Sequence, residues 1–247
     1  MKVEATYEKV DLHCHLLWGI DDGARTPEDS LAMARLLAGL GFRHVACSPH
    51  AHSGYPSNDP EVCRRRLEEA RALLAEHEIP LELHPNAENV LDLELPSKAQ
   101  ASPRPIGQGP WMLAEAPYLN RVAHLPDILF RLQVQGVRLL VAHPERCREF
   151  ESMERTREAI RAGARLQLDL GSLVGRHGRT AKKLSRAFLA DGLYSVAATD
   201  IHSPKDGDWL EDAIEELHSR AGDEVARRLL SLHPMAVLRG GNLPDDC

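Results

Sequence analysis

The sequence predicts one α/β domain built on a parallel sheet, most simply a barrel, and three observations carry that prediction. About seven short apolar runs alternate with helical patterns along 247 residues. Val137 to Ala142 is a run broken only by Arg138 and otherwise apolar, as a parallel strand covered on both faces requires. Imidazoles and carboxylates recur where strands end, which is where an α/β barrel keeps its active site. The length suits one domain spanning 1–247.

Val10 to His15 reads as the first strand, with Asp11, His13 and His15 on one face because side chains alternate. Thr26 caps the following helix, Pro27 fits its first position and Asp29 completes a capping-box pattern. Met33, Leu36, Leu37 and Leu40 form its apolar stripe, and Gly41 ends it. His44 to Ser48 is the second strand, and Asp59 or Pro60 opens a helix with Leu67, Ala70 and Leu74 inward. Leu81 to Ala87 and Trp111 to Ala116 read as strands, separated by the proline-rich stretch Ser97 to Pro110, expected as a surface loop. A helix through Leu125, Ile128, Leu129 and Leu132 stops at Gly136, before the strand Val137 to Ala142. Then come a helix at Met153 to Ala162, a strand at Leu166 to Leu170, a helix at Thr180 to Ala190 and a strand at Ser195 to Thr199. Two helices near Trp209 to Arg220 and Glu224 to Leu232 close the chain.

Composition narrows the function classes. A net charge of -7 opposes a nucleic-acid footprint. The start, Met1 to Val10, carries Glu4 and Glu8 and no apolar core of a signal peptide, and no run approaches the ~18 apolar residues of a membrane span. Five cysteines (Cys14, Cys47, Cys63, Cys147 and Cys247) make an odd, scattered set, which fits a reducing cytoplasm. Cys14 and Cys47 read as small buried apolar residues.

His13-x-His15 projects two imidazoles to one side of a strand; alone it is a weak metal signal. Asp200-Ile201-His202 repeats the period at another strand end and strengthens it. His50 and His143 end two further strands, and Glu88 and Glu115 follow apolar runs where a free carboxylate would be costly. Each glutamate alone is as well explained by a salt bridge. Asp21-Asp22-Gly23 is by default a turn, from which Asp22 can reach back to the cluster. His and carboxylate ligands suit Mn, Fe or Zn, and a cluster this large suggests more than one ion. Arg146 offers a planar fork for phosphate oxygens, and Gly171 to Gly178 is a glycine-rich loop whose backbone N–H groups can approach an anion. His52, His77, His84, His124 and His177 read mainly as surface histidines, with His52 and His177 in loops near the site. A cysteine-dependent phosphatase is excluded: six positions after the first four cysteines stand Ile20, Ser53, Glu69 and Met153, none an arginine, and Cys247 ends the chain.

Together Ile20-Asp21-Asp22-Gly23-Ala24, Ser48-Pro49-His50, Ala142-His143-Pro144-Glu145-Arg146, Gly171-Ser172-Leu173 and Ala198-Thr199-Asp200-Ile201-His202 resemble the PHP (polymerase and histidinol phosphatase) superfamily. The branch they resemble most is the bacterial protein-tyrosine phosphatases of capsule and exopolysaccharide synthesis. That resemblance implies a distorted (β/α)7 TIM-like barrel with three divalent metal ions, Mn first, with Fe or Zn as alternatives. It implies one ion among His13, His15, Glu88 and Asp200, a second among Glu88, Glu115 and His143, and a third among Asp22, His50 and His202. A metal-bridged hydroxide would attack phosphorus, with Arg146, Asp200 and His202 at the reacting group and Arg146, Ser172 and Lys205 touching substrate. The implied substrate is a phosphotyrosine protein, a bacterial tyrosine kinase controlling polysaccharide export. Two positions depart from the family pattern: Ala51 and His52 stand where basic residues are usual, and Lys205 where an arginine is. A histidinol-phosphatase-like phosphomonoesterase and an amidohydrolase-like hydrolase are the alternatives, the latter lacking an obvious bridging lysine.

Overall fold

The computed structural model describes residues 7–244. Cys247 and the start of the chain through Thr6 lie outside the described residues. Among the described residues, eight parallel strands form two sheets. The smaller contains β1 (Lys9–Cys14), β2 (Phe42–Cys47) and β3 (Glu82–Pro85) in that order. The larger runs β4 (Glu88–Val90), β5 (Trp111–Glu115), β6 (Arg138–Ala142), β7 (Arg165–Asp169) and β8 (Val196–Ala198). Parallel bridges His50–Glu88 and Cys14–Ile201 join the sheets on both sides, so the strands circle once as a distorted barrel.

The helices are α1 (Pro27–Gly39), α2 (Pro60–Glu76), α3 (Leu95–Ala101), α4 (Leu125–Val134), α5 (Met153–Arg161), α6 (Leu170–Val174), α7 (Gly178–Ala190) and α8 (Gly207–Ala221). After α8 the chain stays helical from Asp223 to Leu238 through a π-turn at Arg228–Leu232, longer than expected. Alternation along the strands sorts their side chains. Met112, Ala114, Leu139, Val141, Leu166 and Leu168 pack outward under the helices. Trp111, Leu113, Leu140, Ala142 and Val196 form a second, inner cluster with Ile106, Val237 and Leu238. Glu115 continues the inner face of Trp111 and Leu113, so the apolar plug gives way to a carboxylate at the strand's C-terminal end.

Five expectations need correction. The run Leu81 to Ala87 is not one strand: Asn86 Nδ2 donates to Leu12 O at 2.8 Å and its Oδ1 accepts from Ala87 N at 2.8 Å, which breaks the ladder. Glu88 therefore opens β4. The stretch from Ser97 to Pro110 begins inside α3, with Pro96 in its first turn. Gly171 to Val174 is part of α6, where Asp169 caps Gly171 N at 2.8 Å. Asp11 leaves its neighbours: pairing of β1 with β2 is irregular between Asp11 and Cys14. Its carboxylate binds Thr199 N at 3.1 Å and Thr199 Oγ1 at 2.5 Å, tying β1 to the segment after β8. The capping box at Thr26 is half formed: Thr26 accepts from Asp29 N, while the Asp29 carboxylate binds Arg25.

Candidate metal centre

The strand ends bring all nine expected ligands, His13, His15, Asp22, His50, Glu88, Glu115, His143, Asp200 and His202, into one set of overlapping groups. At the floor four atoms converge. His13 Nε2 lies 3.2 Å from His15 Nε2, 3.1 Å from Asp200 Oδ1 and 3.4 Å from Glu88 Oε2. His15 Nε2 is 3.5 Å from both carboxylates. Ligands 2.0–2.2 Å from a tetrahedral ion lie about 3.3–3.6 Å from one another. Asp200 Oδ1 is buried with no hydrogen-bond partner, although its lone pairs face this space. The donor set fits a divalent cation.

Each floor imidazole is aimed from behind. Gln167 Oε1 meets His13 Nδ1 at 2.9 Å and Asp21 Oδ2 accepts from His15 Nδ1 at 2.8 Å, leaving both Nε2 atoms for the centre. The Asp200 carbonyl does the same for His202 Nδ1 at 2.9 Å. Asp21 also binds His50 N and Gly23 N, which fixes the loop. Gly23 must be glycine, since a Cβ there would stand 2.3 Å from His15 O. His143 and Asp200, just beyond β6 and β8, both take left-handed backbone (φ 31° and 51°), costly for residues with a Cβ and characteristic of functional sites.

Above the floor, Glu88 Oε1 binds His143 Nε2 at 2.8 Å, and Glu88 Oε2 lies 2.9 Å from His50 Nδ1. Glu115 Oε1 is 3.6 Å from the same His50 atom, so Glu115 groups with His50 and Glu88 rather than with His143. At the rim Asp22 Oδ1 is 3.3 Å from His50 Nε2 and 3.6 Å from His202 Nε2, and His202 stacks on His15. Burial disfavours charge on His13, but the Asp200 and Glu88 carboxylates outweigh it and push its pKa up to about 9. His50, against the same burial penalty, is raised to about 10 by Asp22 and Glu88. Despite burial, the charge on His13 and the hydrogen bonds of His15 hold Glu88 and Asp200 well below the usual carboxylate range. Glu115 goes the other way, to about 7, through burial and the Glu88 charge. Protons thus balance an anionic cluster that cations would balance better.

A cleft of ≈ 350 Å³ opens over these groups, lined also by His52, Tyr55, Tyr118 and Arg146. Arg146 Nη1 donates to Asp200 Oδ2 at 2.5 Å and Asp169 Oδ2 at 3.3 Å, and Nη2 to Tyr118 Oη at 2.8 Å. His177 Nε2 lies 2.6 Å from Asp169 Oδ2, so that histidine belongs to the support of Arg146. Ser172 and Lys205 do not line the cleft: Ser172 is fully buried in α6, and Lys205 is exposed on the turn after His202. Cys14, Cys47, Cys63 and Cys147 are free, buried thiols, and burial raises the pKa of each, against nucleophilic thiolate chemistry.

The sequence reading missed Asp21, Gln167, Asp169, Tyr55 and Tyr118. Gln167 was legible as the polar interruption of Leu166-Gln167-Leu168, and Asp169 as one more strand-end carboxylate. The tyrosines carry no pattern that marks them.

Comparison with known proteins places this geometry. The chain is 29% identical to the tyrosine-protein phosphatase YwqE of Bacillus subtilis over 222 residues, 87% of this chain and 86% of that protein. It is 23% identical to the tyrosine-protein phosphatase CpsB of Streptococcus pneumoniae, covering 93% and 98%. A crystal structure from work on YwqE and CpsB, described as metal-dependent tyrosine phosphatases, superposes with a TM-score of 0.88 at 28% identity, covering 95% of this chain and 96% of that one. The model of the capsular polysaccharide synthesis family CpsB/CapC matches residues 9–239, and the chain belongs to that family.

Proposed function

We propose that this chain is a metal-dependent protein-tyrosine phosphatase of capsule or exopolysaccharide synthesis, working in the cytoplasm on a phosphorylated tyrosine kinase. The observation that carries it is the buried convergence of His13, His15, Glu88 and Asp200 beside Arg146. His13, His15, Glu88 and Asp200 would hold one ion, with His143 beside it through Glu88; His50, Glu88 and Glu115 would hold a second, and Asp22, His50 and His202 a third, with Mn the first choice. Bound divalent ions supply Lewis acidity, acidifying water and neutralising charge on phosphoryl oxygens.

The chain's own residues supply the rest. Arg146, held by Asp169, presents fixed positive charge where the phosphoryl oxygens enter. Tyr55, stacked on His50, and Tyr118, beneath the Arg146 guanidinium, offer aromatic walls for a phenyl ring. A phenolate, with a pKa of about 10, leaves without the strong general acid an alkoxide needs. A second hollow of ≈ 270 Å³ shares Tyr118 and Arg146 with the cleft and runs past Leu119, His177 and Leu184. It gives room for the peptide flanking a phosphotyrosine, which a histidinol phosphatase has no use for.

Protein purified without chelator should carry two or three ions per chain; one or none would sink the trinuclear reading. With Mn present, kcat/KM for a phosphotyrosine peptide should exceed that for histidinol phosphate and for a phosphosugar by at least about tenfold. A preference for either small molecule would overturn the proposal.

A further inference from the structure

We propose that His44, Glu82 and His84 form a separate zinc site at the end of the barrel opposite the cleft. The register pairs His44 of β2 with Glu82 of β3, and Ala46 with His84. Residues two apart share a face, so His44, Ala46, Glu82 and His84 all point to the inner side, where Ala46 joins the inner cluster. There the two imidazoles meet. His44 Nδ1 lies 3.2 Å from His84 Nε2 and 3.4 Å from Glu82 Oε2, and Glu82 Oε1 is 3.6 Å from His84 Nε2. The His44–His84 separation suits two ligands on one ion, and the Glu82 carboxylate turns one oxygen to each imidazole, so it can close a third position.

The group is distinct from the catalytic cluster. None of its members lines the cleft, and His44 stands three residues before the C-terminal end of β2, about 10 Å down the strand. Two imidazoles and one carboxylate favour zinc over oxygen-seeking Mg or Ca, and leave a fourth position for water. The nearby cation does not claim the site: Arg71 donates to Leu83 O at 3.1 and 2.7 Å and to Glu68 at 2.7 Å. Glu82 is 66% exposed, so an ion can enter from solvent. Bound there, it would staple β2 to β3 beside the break at Asn86.

Equilibrium dialysis of the full chain against zinc, followed by elemental analysis, tests this. His84→Gln should bind one zinc fewer per chain than the parent, and Glu82→Gln should retain that ion about tenfold less tightly. Both should keep kcat/KM for a phosphotyrosine peptide in Mn within twofold. Zinc should raise the parent's Tm more than either variant's. Equal zinc counts and retention in parent and variants would overturn the site; zinc loss accompanied by loss of activity would show that the ion belongs to the cleft. If His84→Gln fails to fold, Glu82→Gln, at an exposed position, gives the same readout.

Discussion

The floor and the rim of the metal cluster are built differently. At the floor the side chains of His13, His15, Glu88 and Asp200 are at most 3% exposed, and the two histidines have their outer nitrogens held by Gln167 and Asp21. At the rim, the Asp22 side chain is 49% exposed and His202 is 31% exposed. Buried ligands with fixed orientation bind without reorganising; exposed ones must give up water and side-chain freedom first. The floor is therefore a preformed site and the rim an adjustable one that faces the substrate. Filling should follow that order, floor first.

Replacing one ligand at each level breaks the comparison most sharply. Asp200→Asn should lose the floor ion and about 10³-fold or more in kcat/KM, since several kcal/mol of transition-state stabilisation go with the ion. Asp22→Asn should cost only about 10-fold, the worth of one exposed charged ligand, and leave two ions in place. Elemental analysis and peptide kinetics on the pair decide it; equal losses would mean the three ions act as one unit.

The pKa shifts sharpen the same contrast. At pH 7 the cation entering the floor must displace protons from His13, raised to about 9, and from His15, held well above its ordinary value by Asp200, Asp21 and Glu88. Two displaced protons make apparent affinity fall about 100-fold per unit of acidification near neutrality. Proton release in a weakly buffered metal titration measures this directly, and no release would refute it. Without metal, the sign for stability reverses. A histidine raised above its unfolded value of about 6.5 stabilises fully below that pH and loses the contribution as pH rises through 9–10. The metal-free protein should therefore have a lower Tm at pH 9.5 than at pH 6.5, with Glu88 and Asp200 ionised throughout.

Arg146 sits between the two levels, touching floor Asp200 and rim Tyr118. Arg146→Ala should lower kcat by about 10²-fold, as loss of one charge-stabilising donor does elsewhere. Metal content should stay near normal. Arg146→Lys should recover part of the loss, keeping the charge but not the fork.

The contrast also explains what the sequence disclosed. Strand alternation marks His13 and His15, and strand-end position marks His143 and Asp200, which left-handed backbone just past the strands turns into the cluster. The rim ligand Asp22 was legible because Gly23 forces the loop back onto His15, and an Asp-Gly pair announces a turn. The groups that aim the ligands were harder to see. Gln167 is 154 residues from His13, and only the closed barrel joins them. Asp11 was expected on the face of His13 and His15 because regular alternation puts it there, and an irregular register sends it to Thr199 instead. Ser172 read as a loop residue because α6 is a single turn set by the Asp169 cap, too short for a periodic pattern. Lys205 matched a family position by distance along the chain, which does not fix where a side chain on a tight turn stands.

The smallest effect concerns the thiols, which touch both levels without belonging to either. Cys14 lies between His13 and His15, yet its side chain packs into the outer core, and burial holds its pKa well above the ordinary thiol value. Cys147, next to Arg146, donates its thiol proton to Ala116 O at 3.2 Å, a bond a serine hydroxyl can replace. Neither sulfur is ionised near neutral pH, so neither can attack phosphorus. Cys147→Ser should keep kcat/KM within twofold with metal content unchanged. Cys14→Ser should do the same for activity, but with a lower Tm, because its hydroxyl enters an apolar pocket at about 1–3 kcal/mol. A folded, metal-loaded but inactive Cys147→Ser would place the nucleophile on sulfur and remove the cluster from the chemistry.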